Sequence, residues 1–239
     1  MPDLYSTMSN FLAQLYTAEG RFEEAERVIL ETLDILKAED GAVAHRGYNL
    51  SLLGKLYLEW ERLDQASVTL VRAFETTRDV VNEALLPLIR NYYCELLSRP
   101  QNPHRDYTLA EELLRATISD VSRSGFLRSD VAAHMLLAQL LSCANRSDEA
   151  LDHSRTAATT LEEHGTLPAL RSEEVLFTHA SILQENGRGP EAQDFYDRAA
   201  AVVATKAASI SDESRRYQYL NRVPLNRWVR HSSPRVSPS

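Results

Sequence analysis

The chain carries only eight glycines and two cysteines in 239 residues, and no stretch of about eighteen consecutive apolar residues occurs in it. Each scarcity excludes something. Folds made of many short strands usually need more turn glycines, so the shortage favours long helices joined by short loops. Cys94 and Cys143 show neither CxxC nor Cys/His ligand spacing, which argues against a disulfide framework and fits reduced, half-buried thiols. Without a long apolar run no membrane insertion is expected. The opening MPDLYSTMSNFLAQLY also lacks the basic region, apolar core and small-residue cleavage site of a secretory leader. A cytoplasmic location follows as the expectation, and the sequons at Asn49 and Asn145 are then coincidental.

Signatures of chemistry are equally scarce. No GxxxxGK[ST], GxSxG or HExxH pattern occurs, and Gly187-Arg188-Gly189 runs straight into Pro190 as a turn rather than a phosphate loop. None of the seven histidines stands in a zinc motif, and His134 and His179 are expected to be packed or hydrogen-bonded. The chain is therefore expected to be no enzyme, with no catalytic residues, no cofactor and no metal. Charge is uneven. The total is −8, but the six arginines after Ser214 meet no acidic residue, so the 20 basic and 34 acidic residues before them leave −14. An acidic body repels phosphate backbones, and nucleic acid is not an expected partner.

What the chain does contain is a repeat. Five segments align on a small residue in the register small-x-[Leu/Ile]-[Tyr/Leu], at Ala13, Gly54, Cys94, Ala138 and Ala180, spaced 41, 40, 44 and 42 residues apart. A second small row follows at Ala25, Ala66, Ala110, Ala150 and Ala192, and a third lies seven residues on, at Thr32, Ala73, Thr117, Ala157 and Ala199. Two antiparallel helices need small side chains where their axes come closest, so each copy reads as a helix pair. Turns fall at Gly20-Arg21, Glu61-Arg62, Asn145-Arg146 and Gly187-Arg188, with a longer one at Arg99 to Asp106.

This predicts an all-α array over 1–206, with pairs at 4–38, 42–79, 82–123, 129–163 and 169–206, and a break at Asp40-Gly41. Pro87 either starts or kinks the first helix of the third pair. A capping segment is expected over 207–230, with Ser211 as N-cap of one helix and a further turn at Leu225 to Val229; 231–239 is expected to be a disordered tail.

These residues resemble the tetratricopeptide repeat family, which has a small residue in the first helix, an aromatic three later and an alanine opening the second. GRFEEA, with L-A-x-L-Y before it, and GKLYLEWERLDQA carry the likeness. The long repeat is similar to the variants of kinesin light chains and of many bacterial signalling proteins. SRRYQYL followed by RVPLNR resembles the closing segment of arrays in bacterial regulators that carry kinase, cyclase or signalling-ATPase domains. The resemblance implies a right-handed α-α superhelix of five helix pairs plus a C-terminal capping helix. It also implies a non-catalytic scaffold or sensor that binds a protein or peptide, or else an intracellular signalling-peptide receptor.

In that family the first helices line the inner surface, at positions three before, one after and four after the small residue. Here the partner-binding candidates are Asn10, Gln14, Ser51, Lys55, Asn91, Glu95, Met135, Gln139, Phe177 and Ser181. Amides suit an extended peptide backbone, because they bond both N–H and C=O groups, while Met135 and Phe177 would supply an apolar pocket. An array whose first helix lacks a polar cap is also able to pair end to end into a homo-oligomer.

Overall fold

The computed structural model describes residues 2–39 and 41–232, with side chains from Tyr5 onward. The expected break at Asp40 and the expected tail at 233–239 lie outside the described residues. The described residues form twelve helices. They are α1 (Pro2–Ala18), α2 (Phe22–Lys37), α3 (Val43–Glu59), α4 (Leu63–Thr76), α5 (Leu86–Leu97), α6 (Tyr107–Ser124), α7 (Leu127–Cys143), α8 (Ser147–His164), α9 (Ser172–Glu185), α10 (Gly189–Ser209), α11 (Glu213–Asn221) and α12 (Pro224–Ser232). Two compact units result, Met1–Phe126 and Leu127–Ser239.

In the first unit α1 packs on α2, α3 on α4 and α5 on α6, while α3 also meets α1 and α2, and α5 meets α3 and α4. In the second, α7 packs on α8 and α9 on α10, α9 meets α7 and α8, and α11 and α12 close against α10. The reason is steric. Every member of the three small rows is buried, with Ala25, Ala66, Ala110, Ala150 and Ala192 entirely so. In the α3–α4 pair the approach is close enough that a Cβ on Gly54 would stand 2.3 Å from Leu70 Cγ. Leu70 fills the space that a larger residue at 54 would need.

Four of the turns share one geometry. Gly20, Glu61, Asn145 and Gly187 all have positive φ, between 59° and 74°. In each, the N–H of that residue bonds the carbonyl three back and the next N–H bonds the carbonyl five back, as in Gly20 to Thr17 (3.1 Å) and Arg21 to Tyr16 (2.9 Å). This pair of hydrogen bonds satisfies carbonyls left open at the end of the first helix. The arginine that follows then heads the second helix without a side-chain cap of its own. Its guanidinium folds onto the glutamate three residues later, as in Arg21 Nε to Glu24 (2.6 Å), Arg146 Nε to Glu149 (2.7 Å) and Arg188 Nε to Glu191 (2.8 Å). Arg62 has Gln65 there and instead lies over the Trp60 ring at 3.4 Å.

Several boundaries differ from the sequence reading. Residues 82–85 are not helical, because the Pro87 ring would collide with the carbonyl of residue 83; α5 starts with Pro87 in its first turn. The helix expected from residue 169 starts at Ser172, since Ala169 is left-handed with φ 58°. Asp106 caps α6 through Leu109 N (3.0 Å), and buried Asn102 braces the inserted loop by donating to the Leu96 carbonyl (3.0 Å). Asp212, rather than Ser211, caps α11 by accepting from Arg215 N (2.8 Å). The single capping helix becomes two, because Pro224 opens α12 and buried Leu225 and Val229 give that helix an apolar edge. His231 and Ser232 belong to α12. Cys94 is fully buried and Cys143 exposed, so neither thiol is half-buried.

Candidate partner-binding stripe

In the first unit the stripe runs over α1, α3 and α5. Asn10, Ser51 and Asn91 are buried. Ser51 Oγ donates to the Tyr48 carbonyl (2.7 Å), which is what a serine within a helix does when no external partner is offered. Gln14 is half-buried and its amide donates to the Asn10 carbonyl (3.0 Å). Lys55 and Glu95, both one residue past the small position of their copies, meet each other. Lys55 Nζ lies 2.8 Å from each Glu95 carboxylate oxygen and 2.8 Å from Glu59, and Arg99 approaches Glu95 at 2.9 Å. Burial pushes the Glu95 carboxyl up, but Lys55 and Arg99 outweigh it and hold it below the usual carboxylate range. Two cations and two carboxylates thus form one balanced cluster joining α3 to α5.

In the second unit the stripe runs over α7 and α9. Met135 is buried, whereas Gln139 is exposed and donates to Thr178 Oγ1 of α9 (2.9 Å). Phe177 is half-buried with its ring 5.4 Å from that of Tyr196, whose hydroxyl reaches Ser181 Oγ at 3.3 Å. Ser181 in turn donates to the Phe177 carbonyl (2.9 Å). Phe177, Ser181 and Tyr196 make a half-open patch, apolar at one end and hydroxylated at the other. Met135, being buried, contributes packing beneath the surface.

The sequence reading missed these pairings. Lys55 and Glu95 stood in it as separate contacts for a partner, although their equal offset in consecutive copies was the signal that places them side by side. It also missed that His134 and His153 meet across α7 and α8, Nδ1 to Nδ1 at 2.9 Å, with Asp130 Oδ1 3.8 Å from His134 Nε2. Burial lowers the pKa of His134 and takes that of His179 down to about 4, where Arg155 and Arg188 add to the effect. His179 sits against Ser154 Oγ (2.9 Å) and edge-on to Phe195. Cys94 is unsuited to nucleophilic work, since burial pushes its thiol up to about 12.

Helix pairs in this register make an all-α, tetratricopeptide-like helical-repeat fold. The chain matches no protein-family profile. It also matches no curated protein sequence. Its fold does match solved structures. BtubC (BKLC) from P. vanneervenii aligns with a TM-score of 0.58 at 18% identity, over 84% of this chain and 80% of that one. TPR-like repeats assigned to a Podosopora anserina kinesin light chain align with a TM-score of 0.55 at 15% identity, over 86% of this chain and 98% of theirs. A signal transduction ATPase with a tetratricopeptide repeat sensor, from Pyrococcus horikoshii, aligns at 0.55 and 13% identity, over 93% of this chain and 36% of that one. At these identities the likeness concerns the fold alone. Among the described residues no group of three or more potential ligands is placed to hold a metal ion, and no helix is long and apolar enough to cross a membrane.

Proposed function

We propose that the chain is a non-catalytic binding module that takes a peptide or a loop of a partner protein on its first-helix stripe. The observation that carries this reading is the Phe177–Ser181–Tyr196 patch with exposed Gln139 and Gln184 beside it on the same stripe. A half-open aromatic ring flanked by amides gives an anchor for one apolar side chain and donors and acceptors for the backbone on either side of it. In the first unit the accessible part of the stripe narrows to Gln14, since Asn10, Ser51 and Asn91 are buried and the Lys55–Glu95 cluster is largely so.

The setting that fits is a cytoplasmic regulator of bacterial signalling type. The likeness of the fold to the repeat sensor of a signalling ATPase supports it, together with the SRRYQYL closing segment. A free-standing signalling-peptide receptor is the other reading. The gene decides between them, since an in-frame kinase or ATPase upstream of Met1 supports the regulator and a stop codon supports the receptor. The binding reading is tested by selecting peptides against the chain from a random library and measuring them by calorimetry. Phe177→Ala with Gln139→Ala is expected to weaken a selected peptide about tenfold or more, as for loss of an interface anchor, with the melting temperature kept. Unchanged affinity would remove the stripe from consideration.

A further inference from the structure

The outer face of α1 is built as an interior surface and is left uncovered. Counting from the small residue of each first helix, the positions five and two before, one before and two after form one helical face. In α3 these are Asn49, Leu52, Leu53 and Leu56, and in α9 they are Val175, Thr178, His179 and Ile182; all eight are buried. In α5 the matching Ile89 and Leu96 are buried, and Tyr92 and Tyr93 half-buried.

The contacts show what covers this face: the preceding helix pair. Asn49 Nδ2 donates to Ser6 Oγ of α1 (3.2 Å), His179 meets Ser154 of α8, and Thr178 accepts from Gln139 of α7. One turn before this face on α3, Arg46 reaches the carbonyls of Leu36 (3.1 Å) and Glu39 (2.7 Å) at the end of α2. In α1 the same four positions are Met8, Phe11, Leu12 and Leu15, and they stand 66%, 54%, 39% and 52% exposed. Tyr5, matching Arg46, is exposed as well. Five large apolar side chains on one face of one helix are far more than the scattered surface residues of an ordinary protein, and they call for a partner surface.

We propose that this face is the interface of a two-fold homodimer in which α1 of one copy packs antiparallel on α1 of the other. Three observations select a second copy as the occupant. First, α1 carries no Asp, Glu, Lys, Arg or His between Tyr5 and Ala18, so two copies of the face meet without like-charge contact. Second, Tyr5, Met8, Leu12 and Leu15 recur at intervals of 3, 4 and 3 residues, the spacing that lets one helix lie along another at a small angle. Third, the C-terminal helices of the repeat series mix charge with their apolar residues. There α11 and α12 close over α10 and present exposed Arg215, Arg230 and His231 together with exposed Tyr217 and Trp228. A head-to-tail contact would set these charges on an apolar stripe, whereas the two-fold contact buries stripe on stripe and closes after two copies. The pairing is independent of the peptide-binding stripe, whose side chains lie on another face of the first helices.

The test is sedimentation equilibrium on the 239-residue chain. At about 10 µM, a concentration at which a dimer of micromolar affinity or better is well populated, the mass is expected to be twice 27.0 kDa. Met8→Glu with Leu15→Glu is expected to halve it, with helical content and melting temperature of the monomer retained because both side chains are solvent-facing there. Leu30→Glu, exposed on α2, serves as the control that keeps the dimer. A wild-type chain that stays monomeric at about 100 µM overturns the proposal, because affinity is then worse than roughly 0.1 mM. So does a dimer that survives the double substitution, which would lie on a different surface.

Discussion

At the scale of single residues, the four left-handed turn positions are the most exacting. Gly20 and Gly187 take φ near 74° without strain, whereas Glu61 and Asn145 hold φ 59° with a Cβ in place. Asparagine tolerates this region better than glutamate, so the cost falls on Glu61. Glu61→Gly is expected to stabilise the first unit by about 1 kcal/mol, and Gly187→Ala to destabilise the second by about the same, both read as shifts in urea midpoint at constant slope. The sequence marks all four positions as turns by their place between the small rows. It does not show that one backbone geometry recurs there, because Gly, Glu and Asn share nothing except what the double hydrogen bond imposes on them.

At the scale of elements, the helices were legible because small residues at offsets of twelve residues in four copies and sixteen in the third, then seven in all five, are hard to explain except by close-packed pairs. The exceptions have local causes, Pro87 and Ala169 shortening α5 and α9 and Pro224 creating α12. The coupling between neighbouring pairs was harder to read. Lys55 and Glu95 lie forty residues apart and are joined by the stacking of α3 on α5. Lys55→Met would leave the Glu59 and Glu95 carboxylates without the ammonium between them, and is expected to cost about 3 kcal/mol in urea unfolding, as for a buried pair that loses one partner. Adding Glu95→Leu should recover a good part of that loss. A cost under about 0.5 kcal/mol for the single substitution would mean that the cluster behaves as an exposed ion pair.

At the scale of the whole molecule, acid is expected to act on one unit before the other. His134, His153 and His179 all pack within the second unit, and in the native state His179 keeps a neutral ring down to about pH 4. Unfolded, the same ring takes a proton near pH 6.5, the ordinary value for histidine. Between these values the unfolded state binds more protons, so stability falls as pH is lowered from 6.5 towards 4, by up to about 1.4 kcal/mol per pH unit for this one group. Above pH 6.5 the contribution is complete and flat. His134, also lowered by burial, acts in the same direction. Amide exchange followed from pH 7 to pH 4.5, corrected for intrinsic rates, should show protection lost first in α7–α9. His179→Gln should flatten the slope.

The sequence by itself determined the all-α class, the helix pairs and the ranking of positions by size, because close approach of two helices is a local steric demand that only small side chains in register meet. Tertiary structure decided everything that depends on which copies touch. It turned Lys55 and Glu95 from two contacts into one ion cluster, and it set His134 against His153. It buried Asn10, Ser51 and Asn91 while leaving Met8, Phe11 and Leu15 in solvent. Periodicity assigns a residue to a face of its helix, but whether that face is covered depends on a neighbour some forty residues away, and one helix pattern serves equally for an interior pair and for the exposed first one.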